Sequence, residues 1–121
     1  MIATELELPM PPSINGYWRA FRGRQIISEA GREYRKALVS AYGGGQGQQF
    51  GSARLSVTLS VHAADRRRHD LDNVCKAILD GLTHCGIYDD DSQIDDLRIV
   101  RGKIEPKHPC VIARIAELGS S

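Results

Sequence analysis

The sequence predicts an α+β fold with two helices packed on one face of a mixed four-stranded sheet. Alternating apolar and polar residues mark strands, and apolar residues at spacings of three and four mark two helices. These segments follow one another along the chain as strand, helix, strand, helix, strand, strand. With 121 residues the chain is the size of one domain, 1–121, and can bury a core without disulfides or a structural metal.

The first part of the chain predicts one strand and one helix. Ile2–Leu8 alternates and is followed by prolines, which indicates a half-buried strand. Ser13–Gln25 is predicted to be a loop. Ser28 is a candidate N-cap for a helix that continues through Tyr42, with Arg35 on its polar face. The predicted inner face of this helix consists of Ala30, Tyr34, Ala37, Leu38 and Ala41.

The remaining elements have more regular patterns. Gly43–Ser52 contains five glycines and three glutamines, and is predicted to be a mobile connector that buries little. Arg54–Ala63 alternates throughout and predicts a strand, and Asp70–His84 predicts an amphipathic helix. Leu97–Glu105 and Cys110–Glu117 predict two strands joined as an antiparallel hairpin. The apolar stripe of the second helix is Leu71, Val74, Cys75, Ile78, Leu79 and Leu82.

Charge is segregated along the chain, although the net charge is only +1. The window 69–96 holds eight carboxylates against the single cation Lys76, a formal charge of −7. Residues 1–68 carry +5 and residues 97–121 carry +3. An acidic centre between basic flanks is the layout expected of a protein that holds a polyanion and performs metal chemistry on it.

The sequence lacks the features of membrane, secreted and zinc-binding proteins. No apolar run is long enough to cross a bilayer, and no signal-peptide pattern follows Met1. We therefore expect a cytoplasmic protein with no membrane partner. The three cysteines are an odd number without a CxxC pair, so neither a disulfide framework nor a zinc site is predicted.

The candidate chemistry depends on Asp70, Asp72 and Lys76 at the start of the second helix and on Asp91 in the acidic loop after it. Each has an ordinary structural explanation: Asp70 can cap the helix, Asp72 can pair with Lys76, and Asp91 can lie in a hydrated turn. These explanations do not account for why several carboxylates occur together in one short stretch of the chain. Two carboxylates about 4 Å apart repel by about 4 kcal/mol at an effective dielectric of 20, so clustered acids favour a bound cation.

Carboxylate oxygens without thiolates or paired histidines favour Mg²⁺, with Mn²⁺ as a plausible substitute, over Zn²⁺. An EF-hand is excluded because Cys75 stands where its loop needs glycine.

Two arginine clusters are candidates for contacts with nucleic acid. Arg19, Arg22 and Arg24 alternate with aromatic residues in the predicted loop, a combination that suits phosphates and bases but also occurs on loops that are merely soluble. Arg66, Arg67 and Arg68 precede the second helix, followed by His69.

These motifs resemble the RusA-type Holliday junction resolvases. The matching stretches are Leu8–Asn15, Asp65–Ala77, Asp80–Leu82 and Tyr88–Ile94, and chain length and element order are also similar. The arginine run followed by Asp-x-Asp-Asn-x-x-Lys and then Asp-Asp-x-Gln is the specific part of the resemblance, and the proline-rich opening is less specific.

The resemblance implies a RusA-like fold and a dimeric, Mg²⁺-dependent endonuclease that resolves four-way DNA junctions by paired nicks. By position, it implies that Asp70, Asp72 and Asp91 are the catalytic, metal-binding acids and that Lys76 is the essential lysine. Phosphate contacts would come from Lys76, His69 and both arginine clusters. His69 departs from the arginine expected beside the first acid, which weakens that contact at neutral pH. No small-molecule substrate is expected.

Three other functions remain open at this stage. A metal-dependent nuclease for flaps or forks would differ only in the preferred DNA shape. A junction-binding protein without turnover would use the acids as helix caps, and its binding would be indifferent to EDTA. A dimeric scaffold protein without a nucleic-acid partner would leave the set of acids unexplained.

Overall fold

The computed structural model describes residues 3–12, 18–43, 50–66 and 71–118, apart from the side chain of Asn73. The elements in these ranges are β1 (Ala3–Pro9), β2 (Trp18–Phe21), β3 (Arg24–Ile27), α1 (Glu29–Tyr42), β4 (Leu55–His62), α2 (Leu71–His84), a 3₁₀ turn (Asp91–Gln93), β5 (Ile94–Arg101) and β6 (Cys110–Glu117). The main sheet has the order β1-β6-β4-β5, with β4 and β5 parallel and the other pairs antiparallel. The predicted fold class is confirmed.

Strand β4 is central in the sheet, and its alternation is the predicted one. Leu55, Val57, Leu59 and Val61 are at most 3% exposed, whereas the residues between them are half-buried. On the neighbouring strand, Val111, Ala113 and Ile115 pair with them and are equally buried. Full burial of each large aliphatic side chain stabilises the fold by about 1.5 to 3 kcal/mol, so this face of the sheet holds the core.

Helix α1 begins as predicted and buries Tyr34 and Leu38 as predicted, but it does not bury the three alanines of the predicted inner face. The Ser28 hydroxyl accepts a hydrogen bond from the Gly31 backbone N–H at 3.0 Å and caps the helix. Only Gly31, Tyr34 and Leu38 are buried in this helix. The prediction for the three alanines was wrong, because an alanine gains little from burial and the larger side chains set the rotation of the helix. These three alanines, Ala30, Ala37 and Ala41, are all exposed.

Two tyrosines attach α1 to the first strand. The Tyr34 hydroxyl donates to the Pro9 carbonyl at 2.8 Å, and the Tyr42 hydroxyl donates to the Glu7 carbonyl at 2.6 Å. These carbonyls belong to the edge strand β1 and point away from its partner β6. The tyrosines therefore satisfy backbone acceptors that an edge strand leaves unpaired.

Helix α2 has the predicted apolar stripe. Cys75, Ile78 and Leu82 are buried, and the other three predicted positions are half-buried. The two helices meet closely at Gly81, where an added Cβ would lie 2.4 Å from a methyl carbon of Leu38. A larger residue at this position would require the Leu38 side chain to move, so glycine allows the two helices to approach closely.

The segment predicted to be a loop at Ser13–Gln25 contains an antiparallel hairpin. Strands β2 and β3 pair Trp18 with Ile27 and Phe21 with Arg24, and form a separate two-stranded sheet. Arg22 and Gly23 have positive φ values of 51° and 77°, the left-handed geometry of a tight two-residue hairpin turn. The prediction missed the hairpin because the interleaved arginines and aromatic residues were interpreted as an irregular loop rather than as two short strands. Residues 13–17 lie outside the described residues.

The predicted hairpin of the last two strands was wrong. Strand β4 lies between β5 and β6, and β5 begins at Ile94 rather than at Leu97. The connection passes the end of β4, where the Gly102 and Glu105 N–H groups donate to the Val61 and Ala63 carbonyls at 2.9 and 2.8 Å. A turn-like sequence between two strands indicates a reversal of direction, but it does not specify which strand is the neighbour.

The connector predicted at Gly43–Ser52 lies mostly outside the described residues, so its mobility stays a prediction. The C-terminal end of the connector is anchored, because the Phe50 side chain packs in the core and is only 3% exposed. The Gly51 carbonyl accepts from the Asp89 N–H at 3.2 Å. Neither described helix has the length and apolar character needed to span a membrane.

Candidate active site

An open cavity of about 740 Å³ lies beside the polar face of α2. Its walls come from the β2–β3 hairpin, from α2 and from the loop that leads into the 3₁₀ turn. The described residues that line it are Trp18, Gln25, Lys76, Leu79, Asp80, Thr83, Asp90 and Asp91. Three carboxylates and one amine therefore face one volume, which we call the acidic cavity.

Helical periodicity explains why α2 presents Lys76 and Asp80 to the acidic cavity. The two residues are four positions apart and lie on one ridge, and Thr83 follows on the same side. Ile78 and Leu82 hold the opposite face of the helix in the core. Burial of the apolar stripe thus orients the polar ridge.

Asp80 is held by an arginine of the other helix. The Arg35 guanidinium donates two hydrogen bonds to its carboxylate, at 2.8 and 2.9 Å, in a bidentate pair. Both side chains are about three-quarters buried, with 23% and 25% of their surface exposed. This pair joins α1 to α2 and leaves Asp80 less available to a metal than the other acids of the cavity.

The loop carrying Asp91 is fixed by a capping box around the 3₁₀ turn. The Asp90 carboxylate accepts from the Ser92 N–H, and the Gln93 side-chain oxygen accepts from the Asp90 N–H, both at 2.9 Å. The Gln93 amide in turn donates to the Gly51 carbonyl at 3.0 Å and is almost fully buried. The hydrogen bonds from Ser92 lower the pKa of Asp90, which keeps that carboxylate anionic.

Asp91 and Lys76 line the same cavity. Within the described residues, neither side chain has a hydrogen-bond or ion-pair partner, and both are exposed. Asp91 is close enough to the buried Tyr88 hydroxyl to contribute to its raised pKa, although burial is the larger cause. An amine and a carboxylate without partners among the described residues are available to a substrate or an ion.

The other two predicted acids are less well placed by the structure. Asp72 is exposed in the first turn of α2, and it adds to the effect of burial in raising the pKa of the Cys75 thiol. It is not among the described residues that line the acidic cavity. Asp70 lies outside the described residues. The predicted convergence of Asp70, Asp72 and Asp91 on one metal therefore stays a prediction.

The side chains around the acidic cavity suit a hard divalent cation. Carboxylates dominate its polar groups, and the buried Thr83 hydroxyl has no hydrogen-bond partner among the described residues. That hydroxyl nevertheless lies close enough to Tyr88 to oppose the rise in the pKa of the phenol. In the described ranges the cavity acids are not gathered into a three-ligand group. A metal centre here needs Asp70, or rotation of the exposed Asp90 and Asp91 side chains.

The predicted arginines Arg19, Arg22 and Arg24 lie on the β2–β3 hairpin and are exposed. The guanidinium carbons of Arg19 and Arg22 lie 5.6 and 5.3 Å from the centre of the Phe21 ring, which is itself 48% exposed. A cation within about 6 Å of an aromatic ring is attracted by the ring quadrupole, so the Phe21 ring helps to hold these two guanidinium groups. Trp18 and Gln25 face the acidic cavity from the same hairpin, so the basic surface adjoins the carboxylates.

A second basic region lies near the start of α2. Arg66 lines a cavity of about 580 Å³ together with Arg101 and Lys103. The remaining predicted phosphate contacts, Arg67, Arg68 and His69, lie outside the described residues.

Several residues of these surfaces were not predicted from the sequence. Trp18, Gln25 and Thr83 line the acidic cavity, and Arg101 and Lys103 line the basic one. A partial signal was present for the first two, since Gly23 between strand-forming residues favours a turn. The positions of Arg101 and Lys103 depend on the path of the chain past β4, for which the sequence holds no local signal.

Comparisons with known proteins identify the same family as the sequence motifs. The sequence model of the family described as Endodeoxyribonuclease RusA matches residues 9–115. The crossover junction endodeoxyribonuclease RusA of Enterobacteria phage HK97 is 41% identical over 95 residues, which cover 78% of this chain and 79% of that protein. The proteins of the same name from Enterobacteria phage 82 and Escherichia coli K12 are 40% and 38% identical over 96 residues, 79% of this chain and 80% of each relative. The predicted resemblance is confirmed, and the chain belongs to the RusA endodeoxyribonuclease family.

Proposed function

We propose that this chain, acting as one domain over residues 1–121, is a structure-selective, Mg²⁺-dependent endodeoxyribonuclease. It resolves four-way DNA junctions by paired symmetric nicks during recombination and repair. The observation that carries the proposal is the acidic cavity, in which Lys76 and Asp91 face one volume beside a hairpin of exposed arginines. Family membership supports it by implying a divalent metal and a branched DNA substrate.

Asp70, Asp72 and Asp91 are the proposed metal ligands, with Mg²⁺ as the ion and Mn²⁺ as a substitute. The hard oxygen donors favour these ions over softer ones. When bound, such an ion polarises the scissile phosphate and lowers the pKa of the attacking water.

Lys76 is the proposed charge-stabilising group. Its amine lines the acidic cavity without an ion-pair partner in the described residues. It would hold a non-bridging phosphate oxygen and neutralise the negative charge that accumulates there in the transition state. The Arg35–Asp80 pair supports this role by fixing the helix ridge on which Lys76 lies.

The arginines would hold the DNA backbone. Arg19, Arg22 and Arg24 on the hairpin and Arg66, Arg67, Arg68 and His69 before α2 are the proposed phosphate contacts, to which the structure adds Arg101 and Lys103. Because each contact releases counterions, junction binding should weaken steeply with added salt. The shape of the junction, rather than its base sequence, would provide most of the selectivity.

A homodimer fits this substrate. A four-way junction has two equivalent strands to cut, and a two-fold dimer offers one acidic cavity to each. The DNA substrate implies action in the cytoplasm.

The test compares a synthetic four-way junction with a fork, a flap and a linear duplex of identical sequence, each with Mg²⁺ or EDTA. Paired symmetric nicks in the junction, only with Mg²⁺, are the expected result, and Asp70→Asn should abolish them while junction binding remains. Equal cleavage of forks and flaps would replace the proposal by a general branched-DNA nuclease. Binding without any nicks would indicate a junction-binding protein.

A further inference from the structure

Three side chains of different chemistry meet where the chain passes the end of β4. Donor atoms of Glu7, His108 and Cys110 all lie within 4.8 Å of one another. No other group of three such donors is found among the described residues. None of the three residues lines the acidic cavity, and none belongs to the motifs that carry the RusA resemblance.

The fold brings these residues together through the pairing of β1 with β6. Cys110 pairs with Pro9, and Glu7 lies two positions from Pro9 on the same face of the sheet. Leu8 and Val111, the residues next to them, face the core. The Cys110 side chain is therefore on the opposite sheet face, where it is only 6% exposed.

Two exposed side chains complete the group. The His108 Nε2 atom lies 3.3 Å from the Glu7 carboxylate, and both side chains are more than half exposed. Glu105 adds a second carboxylate nearby, since it and Glu7 add to burial in raising the pKa of the Cys110 thiol. A buried thiol, an imidazole and two acids therefore form one cluster with a negative formal charge.

We propose that Glu7, His108 and Cys110 form a second metal site, which takes a borderline-soft divalent ion such as Zn²⁺. Thiolate, imidazole and carboxylate together are the ligand set that this ion prefers, whereas Mg²⁺ binds neither sulfur nor nitrogen well. Binding displaces the thiol proton to solvent. A fourth position is left for water or for Glu105.

The geometry requires only small movements. Ligand atoms of a tetrahedral zinc site lie roughly 3.5 Å apart, given bonds of about 2.0 to 2.3 Å. The present separations are at most 4.8 Å, and the exposed Glu7 and His108 side chains can rotate towards the fixed Cys110 sulfur. The ion would then join the first strand to the connection before β6, a contact between residues 101 positions apart.

The competing interpretation is a surface ion pair between His108 and Glu7 without a metal. Exposed pairs of this kind contribute little to stability. The two interpretations differ in the role of Cys110, because a simple ion pair does not involve the thiol.

Cobalt(II) titration of the full chain, in excess Mg²⁺, distinguishes them. We expect one equivalent of Co²⁺ to give a thiolate-to-cobalt charge-transfer band, which Zn²⁺ then removes by displacement. Cys110→Ser should abolish the band, and His108→Ala, at an exposed position, should weaken Co²⁺ binding by about tenfold or more. Cys85→Ser and His84→Ala are the matched controls, and both should keep the band.

Two outcomes would overturn the proposal: the absence of a band in the wild-type protein, or a band that persists unchanged in both Cys110→Ser and His108→Ala. Circular dichroism of each variant checks the fold. The proposed nuclease centre is tested separately, because Asp91→Asn should leave the Co²⁺ band intact while it removes cleavage.

Discussion

The two faces of helix α2 perform different tasks with residues that alternate along one short segment. Cys75, Ile78 and Leu82 are buried and attach the helix to the sheet, whereas Lys76 and Asp80 line the acidic cavity. The apolar face acts through the volume that its side chains fill in the core, and the polar face acts through the charges that it presents to the cavity. Substitutions of Ile78 and Lys76, two residues apart, should therefore affect mainly stability and mainly cleavage, respectively.

The largest effect on cleavage is expected from a substitution in the loop that faces the polar side of α2. Asp91→Asn removes a proposed metal ligand without changing side-chain volume, and we expect junction cleavage to fall by about a thousandfold or more, on the order of 4 kcal/mol. Single-turnover cleavage of a labelled junction measures it. Asp89→Asn, an exposed neighbour outside the cavity lining, is the control and should cleave at nearly the wild-type rate. Equal rates for the two variants would contradict the assignment.

The apolar face predicts the largest effect on stability. Ile78 is fully buried, and Ile78→Ala should lower the free energy of unfolding by about 2 to 5 kcal/mol, through lost burial and the cavity left behind. Urea denaturation followed by circular dichroism provides the measurement. A change below about 0.5 kcal/mol would mean that this face does not hold the helix on the sheet.

Lys76→Gln probes the polar face two residues away. Loss of the amine should reduce cleavage by about a hundredfold, because one charged donor to the transition state is removed. The unfolding free energy should change by less than about 0.5 kcal/mol, because the side chain is exposed and unpaired in the described structure. Lys36→Gln, an exposed lysine on α1, is the control. Loss of stability together with activity would remove the proposed separation of the faces.

The smallest effect is expected where the polar face contacts the other helix. A double-mutant cycle of Arg35→Met and Asp80→Asn should give a coupling energy of about 1 kcal/mol, since the pair is bidentate and mostly shielded from solvent. The exposed pair of Arg114 and Glu5 is the control and should couple more weakly. Equal coupling in both pairs would show that the shielding of Arg35 and Asp80 adds nothing.

The sequence predicted those parts of the fold that repeat over a few residues. Strand β4 and the stripe of α2 were correct because alternation and helical spacing are local properties. The partner of β6 was wrong, since strand pairing is decided by the whole sheet. Tyr34 and Leu38 of α1 were correctly predicted to be buried, but the three alanines were not, because the rotation of the helix also depends on tyrosines that reach the edge of β1.

The residues of the candidate site also divide into those that local sequence predicts and those that depend on the whole fold. Lys76 and Asp91 were predicted to meet, and they line one cavity. Trp18 and Gln25 reach it only through a hairpin that was predicted as a loop. The cluster at Glu7, His108 and Cys110 had no sequence signal, because its members come from opposite ends of the chain.

Metal affinity tests the central claim most directly, namely that Asp72 in the first turn of α2 and Asp91 in the following loop hold one metal ion. Mn²⁺ binding, followed by electron paramagnetic resonance, is compared in Asp72→Asn, Asp91→Asn and the double variant. We predict that each single substitution weakens binding by about tenfold or more and that the two effects are not additive. Mn²⁺ binding by Asp91→Asn as tight as that by Asp89→Asn would contradict the account.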